Sequence, residues 1–437
     1  MKFTRIALAL AAAFAAAPVL SADLVTLYRD ARVSDPVYQA ARAQYQATVE
    51  RLPQARSGYL PQIAATGSIF RNSAQRDGIA DIDYNTKTIA VTLSQPIVRM
   101  QNWIAINQAQ KLVLQAEAVL ATSLQDLALR VAQAYFDVLL ARDNVALSET
   151  QKTAIDQQLA QAKRNFEVGT ATIVDTLEAQ ARYDQSVAKE IADKNDLEVK
   201  HRALQQLLGK IPDGLTPLRE PLTLAEPRPN DIEAWVKAAS DSSFAVAVAR
   251  ANFEIAQQEI ARQRAGHLPT LDLSGSLARV DDSSSTIPPV SPVSNVSGIG
   301  LTLSVPIFSG GLTQSRVREA VALRDRAEQD YENVQRSVAQ SVRAGFLNVT
   351  SGISQVRALE QALVSTQSQL DSTILGRDVG VRTSVDVLNA QQQVFQTRRD
   401  LQQARYNFLL NTLRLKAAAG QLTEPDIEEV NRALARG

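Results

Sequence analysis

Ile299-Gly300-Leu301-Thr302-Leu303-Ser304-Val305-Pro306-Ile307 is the stretch on which the reading of this chain turns. Its apolar side chains fall at every second position, with Gly300, Thr302 and Ser304 between them. Side chains of a strand point alternately to opposite faces, so this stretch predicts a strand with one apolar and one polar face. Thr92-Leu93-Ser94-Gln95-Pro96-Ile97 matches its second part, Thr302 to Ile307. The match extends further. Arg56-Ser57-Gly58-Tyr59-Leu60-Pro61 aligns with Arg264-Ala265-Gly266-His267-Leu268-Pro269. Val168-Gly169-Thr170 followed by Val174-Asp175 aligns with Val379-Gly380-Val381 followed by Val385-Asp386, and Gly209 aligns with Gly420. The separation stays at about 208 to 211 residues throughout, so the chain is a duplicated unit. Each half reads as helix, strand, loop, strand, long helix, turn, long helix.

The other strands carry the same alternation. Ile63, Ala65, Gly67 and Ile69 share one face; so do Ile89, Val91 and Leu93, and so do Leu271, Leu273, Gly275 and Leu277. The expected spans are about 61–71, 87–98, 269–280 and 297–308, with polar loops at 71–86 and 279–297. Each strand has about the length that crosses a bilayer when tilted. Four strands cannot close a barrel, since the smallest membrane barrels have about eight. Lipid does not tolerate an open sheet edge, so strands facing lipid have to be pooled from several chains. Three chains would supply twelve strands.

The helices are long. Residues 100–167 contain neither proline nor glycine, and Ile106, Val113, Leu120, Leu127, Ala134 and Ala141 recur every seven residues. Val342, Val349, Val356, Leu363 and Leu370 do the same within 312–377. A sustained heptad winds paired helices into a left-handed supercoil. The antiparallel partners are expected at 172–208 and 383–419. Heptads alone also fit a soluble periplasmic coiled-coil adaptor or scaffold, but that alternative does not explain the two-faced hairpin joined to each long helix pair.

Composition narrows the function. Basic and acidic residues balance at 46 each, so no basic field for nucleic acid exists. The absence of cysteine excludes disulfides, thiol catalysis and thiolate metal sites. His201 and His267 stand apart from any catalytic cluster, and no glycine-rich phosphate loop follows a strand. No enzyme, cofactor or metal site is expected. Lys2 and Arg5 precede an Ala-rich apolar run ending at Leu20-Ser21-Ala22, which predicts a signal peptide over 1–22. The apolar run is too short for a typical membrane span, and no later stretch of about 20 consecutive apolar residues follows, so no membrane-crossing helix is expected. The remaining divisions are a first repeat at 23–210, a connecting segment at 211–230, a second repeat at 231–420 and a tail at 421–437.

These features together resemble the TolC family of outer-membrane channels. The resemblance is carried by Ala265-Gly266-His267-Leu268-Pro269-Thr270-Leu271-Asp272-Leu273, by Leu303-Ser304-Val305-Pro306-Ile307-Phe308-Ser309-Gly310-Gly311, and by Ala404-Arg405-Tyr406-Asn407-Phe408-Leu409, in that order. It implies a mainly helical fold with transmembrane β structure: a homotrimer with a twelve-stranded β-barrel in outer-membrane lipid, joined to a twelve-helix α-barrel in the periplasm. It also implies a passive exit duct for efflux or type I secretion. Its partners would be a periplasmic adaptor (membrane fusion) protein and an inner-membrane transporter of the ABC, RND or MFS type.

The resemblance assigns site residues as well. The turns Val168-Gly169-Thr170 and Val379-Gly380-Val381 would be the adaptor-contacting tips. Val381 stands where the family commonly has threonine. Asp386 would form an entrance ring, with Asn389 replacing a second aspartate. Asp175, Arg377 and Arg382 would latch the entrance, with Arg377 expected to reach Asp175 as a salt bridge.

Overall fold

The computed structural model describes residues 22–76, 79–212, 214–282 and 293–434. The signal segment expected at the N-terminus lies outside them, apart from Ala22. The chain divides into two compact units. One comprises residues 1–42, 120–246 and 335–437; the other comprises 43–119 and 247–334.

The second unit carries the sheet. Strand β1 is Gln62–Arg76, β2 is Ile79–Val98, β3 is Thr270–Asp281 and β4 is Val293–Ser304. They form one antiparallel sheet in the order β1-β2-β3-β4. The register lines up the alternation across all four strands. Ile63, Leu93, Gly275 and Ile299 make one row, and Ala65, Val91, Leu277 and Ser297 the next row on that face. The intervening rows Gln62-Ser94-Ser274-Gly300 and Ala64-Thr92-Ser276-Gly298 are polar or small, and Val296 and Val280 enter the two rows beyond them. Ile63, Ile89, Leu277, Ile299 and Leu301 are exposed, so among the described residues the apolar face is largely uncovered. The outer edges of β1 and β4 are likewise unpaired in the sheet.

Two strand boundaries depart from the alternation. The first hairpin runs on through most of the expected 71–86 loop, with Arg71 opposite Asn85 and Ser73 opposite Asp83. Backbone pairing does not require apolar side chains, and the polar ones find cross-strand partners. The Asn72 amide donates to Thr86 Oγ1 at 2.9 Å, and Arg71 lies 3.5 Å from Asp83. At the other end, β4 stops at Ser304 and not near 308. Its partner β3 begins at Thr270, opposite Ser304, so Val305 and Ile307 continue outside the sheet.

Among the described residues, three helices precede the first hairpin: α1 (Leu24–Ser34), α2 (Pro36–Val49) and α3 (Arg51–Ser57). Helices α4 (Met100–Glu167) and α5 (Ile173–Leu208) follow it. The second half repeats the plan with α6 (Ile232–Ser242), α7 (Phe244–Arg264), α8 (Leu312–Asp378) and α9 (Ser384–Ala418). Helix α10 (Glu424–Asn431) ends the described chain.

The first unit holds the main core. Leu24, Leu127, Tyr135, Leu204, Val342 and Leu413 are all buried there. The connecting segment joins this core: Leu215 bridges to Ala22, Leu218 bridges to Leu434, and the Tyr135 hydroxyl donates to the Thr216 carbonyl at 2.7 Å. By length and composition α4 is apolar enough to pass for a membrane span, contrary to the expectation from uninterrupted apolar runs. Part of its apolar surface is nevertheless consumed by this core, through Leu127, Val131, Tyr135 and Val138.

Candidate functional site: the two helix turns

Both turns lie in the first unit, and the duplication reproduces them bond for bond. In the first, the Val168 N–H donates to the Arg164 carbonyl at 3.1 Å and the Thr170 N–H to Asn165 at 2.8 Å. In the second, Val379 donates to Leu375 at 3.1 Å and Val381 to Gly376 at 2.8 Å. Gly169 and Gly380 have φ of 77° and 80°, the left-handed conformation that closes a helix C-terminus and that side-chain-bearing residues rarely adopt.

The next helix then starts with the same device. Thr172 and Thr383 are N-caps with extended backbone. The Asp175 carboxylate accepts from the Thr172 N–H at 2.9 Å and from its hydroxyl at 2.8 Å. Asp386 accepts both bonds from Thr383 at 2.9 Å. These are capping boxes. Each aspartate carboxyl lies below its ordinary pKa, first because the backbone N–H of its cap residue donates to it and next through the cap side chain. Both therefore stay ionised at neutral pH. The sequence carries the signal, as Thr172-Ile173-Val174-Asp175 and Thr383-Ser384-Val385-Asp386, which the family resemblance does not supply. Only one oxygen of each carboxylate is engaged by the box.

The expected Arg377–Asp175 bridge is not formed within the chain. Arg377 donates to Gln158 at 3.1 Å and Gln161 at 3.5 Å, and it pairs with Asp378 at 2.7 Å. Its neighbour in sequence satisfies the charge, while the capping box has already claimed Asp175. Arg382 lies beside Asp386 and contributes to holding that carboxyl ionised. Arg382, Asp386 and Asn389 share one open cleft with Gln369 and Thr373. Asn389 is tied to the other hairpin: Arg182 of α5 donates to its Oδ1 at 3.1 Å and to Gln392 Oε1 at 3.0 Å. Arg182 carries no family signature, and its position one helix away gave no sequence signal.

The turns are apolar at their surface. Val168, Val174, Leu177, Val379 and Val381 are exposed, an unusual concentration for helix ends in water. Among the described residues, no group of acids, histidines and cysteines has the arrangement of a metal site.

The whole arrangement is similar to known proteins. The profile of a family described as outer membrane efflux protein matches residues 27–210 and 235–421, one match for each repeat. Outer membrane protein TolC of Vibrio cholerae serotype O1 is 34% identical over 423 residues, covering 95% of this chain and 94% of that protein. The alkaline protease secretion protein AprF of Pseudomonas aeruginosa is 28% identical, covering 92% of this chain and 85% of its own. In structure, the outer membrane protein VceC of Vibrio cholerae superposes with a TM-score of 0.77 at 18% identity, covering 91% of this chain and 96% of that one.

Proposed function

We infer that this chain, which belongs to the outer membrane efflux protein family, works as an outer-membrane exit duct closed by three copies of itself. Its place in the outer membrane and its role as a conduit of efflux or type I secretion follow from the family. The soluble periplasmic scaffold that the heptads alone would allow is displaced by that membership.

The observation that carries the threefold closure is the sheet. It has one apolar face, exposed along its length, and two unpaired edges. In hydrocarbon each unpaired backbone group costs several kcal/mol, so β4 of one copy has to meet β1 of the next. Three copies close twelve strands with lipid outside and the polar rows lining water. The same closure brings twelve helices together. A channel of this kind carries out no bond chemistry, and its energy comes from an inner-membrane transporter reached through a periplasmic adaptor.

The apolar turns Val168-Gly169-Thr170 and Val379-Gly380-Val381 are the proposed adaptor contacts. Asp386 is the proposed entrance ring, with Asn389 adding no charge, and Asp175, Arg377 and Arg382 remain the proposed residues of entrance closure. Because Asp175 and Asp386 also cap their helices, neutral substitutions there test two roles at once, and Asn389 is the cleaner probe. The expected result is that Asn389→Asp tightens divalent-cation block of single-channel current, because a second carboxylate per copy adds negative charge at the mouth. Unchanged block would remove both residues from the constriction. The closure itself is tested by fractionating membranes of expressing cells and sizing the detergent-extracted protein. A three-chain species from the outer membrane is expected; a soluble monomer would overturn the reading.

A further inference from the structure

Where α5 packs on α9, with α4 closing one side, the first unit encloses a cavity of about 200 Å³. Its walls carry three cations, Arg182, Lys189 and Arg399, together with glutamine amides and the ring of Phe395. No carboxylate lines it. The three cations differ in how they are compensated. Lys189 is paired with Asp193 on its own helix. Among the described residues, Arg182 is hydrogen-bonded to the amide oxygens of Asn389 and Gln392 alone, which supply dipoles but no countercharge. Arg399 makes no hydrogen bond or ion pair to any described residue, and its Nε is buried without a partner. The Gln391 Oε1, in the same wall, is buried and unpartnered too.

A part-enclosed guanidinium with no countercharge is costly, because desolvation weakens the hydration of the charge and no carboxylate offsets it. Two such groups on one acid-free cavity are an anion's complement. Guanidinium forks match tetrahedral and planar oxyanions, and charge-assisted bonds to them are among the stronger ones a protein makes. We propose that this cleft binds a small inorganic oxyanion of the phosphate or sulfate class, held by Arg182 and Arg399. The bound ion ties α5 to α9, and so joins the first helix hairpin to the second. The site is independent of the duct reading, since its test reads binding and not transport.

The test uses the full-length protein in detergent, titrated with inorganic phosphate at constant ionic strength made up with sodium chloride, and followed by calorimetry and by the melting midpoint. Saturable binding with a rising midpoint is expected. Arg399→Gln should weaken it at least about tenfold. Gln185→Glu places a carboxylate on the cavity wall at an exposed helical position that folding tolerates. It should abolish phosphate binding and raise the midpoint in phosphate-free buffer. No saturable binding by the parent protein, or equal binding by parent and both variants, would overturn the proposal. So would a loss of midpoint in Arg399→Gln that phosphate never influences, which would assign the guanidinium to a carboxylate of another copy.

Discussion

The two halves of this chain follow one backbone plan but are fastened by different chemistry. In the first half, Asp35 at the junction of α1 and α2 is buried and meets Arg130 of α4 through two bonds of 2.9 and 3.1 Å. Its counterpart in the second half is the neutral Ser243. Further along, α4 and α5 are stitched by Lys152 to Glu190 and by Lys194 to Glu149 at 2.9 Å. The repeat places Leu363 and Leu401 where Lys152 and Glu190 stand, and these pack with Val356 and Ala404. Only the second pair survives as charge, as Arg405 to Glu360 at 3.0 Å. A helix pair therefore does not dictate how it is held. Ion pairs fix register but fail badly when halved, whereas leucines lose only their own contacts.

The largest break of that comparison is expected from Arg130→Ala. It leaves Asp35 buried without its countercharge and should cost about 3–5 kcal/mol, read as a fall in the urea midpoint of the purified protein. On the apolar side, Leu401→Ala should cost about 2–5 kcal/mol by the same measurement. The matched experiment in the first half replaces both Lys152 and Glu190 by leucine. It should leave the midpoint unchanged or raise it, while Glu190→Leu alone lowers it by stranding Lys152, Lys194 keeping Glu149. If the double substitution were worse than the single one, the charged stitch would be contributing stability that packing cannot supply.

The glycines that end α5 and α9 sharpen the contrast at a smaller scale. Gly209 and Gly420 both have φ of 71°. A Cβ on Gly209 would meet nothing, whereas one on Gly420 would lie 2.3 Å from the Ser242 carbonyl oxygen. Gly209→Ala should cost about 1–2 kcal/mol, the backbone penalty alone. Gly420→Ala should lower the midpoint by about 1–3 kcal/mol more, the cost of overpacking. Equal losses would mean that Ser242 gives way freely.

The smallest effect concerns pH. Glu259 is the counterpart of Arg51 in the first half. Burial acts to raise its pKa, but hydrogen bonds from Arg262, Gln108 and Gln263 outweigh it and hold the carboxyl at about 2. The folded value lies below the unfolded value of 4.5, so its stabilisation is complete above about pH 4.5 and disappears as pH falls toward 2. Glu259→Gln should flatten the acid limb of stability in that window and leave the midpoint's pH dependence above it unchanged.

Much of this architecture was legible because the duplication repeats it. Period-two alternation located four strands and the heptads located the long helices, since each reports which side of an element is buried. The ends were less legible. The pairing of Arg71 to Arg76 with Ile79 to Asn85 depends on backbone groups that leave no apolar pattern. The turns are legible from Gly169 and Gly380, and the caps from Thr172 and Thr383, three residues before Asp175 and Asp386, whereas a family likeness alone points only to gating at those aspartates. Arg182 and Arg399 could not be found from sequence, because an arginine's partner on another helix has no fixed spacing.

The unpaired edges of β1 and β4 also govern how the protein is made. A single copy newly released from synthesis carries two sticky ladders and a greasy face, so its safest lifetime alone is a short one. Productive assembly depends steeply on how many intact copies are present together, while misjoining needs only one wrong neighbour. A copy lacking β4 but retaining β1 would still be accepted by one neighbour and then offer the next nothing to join. Such a fragment, expressed beside the intact protein, would act as a dominant poison of every ring it enters.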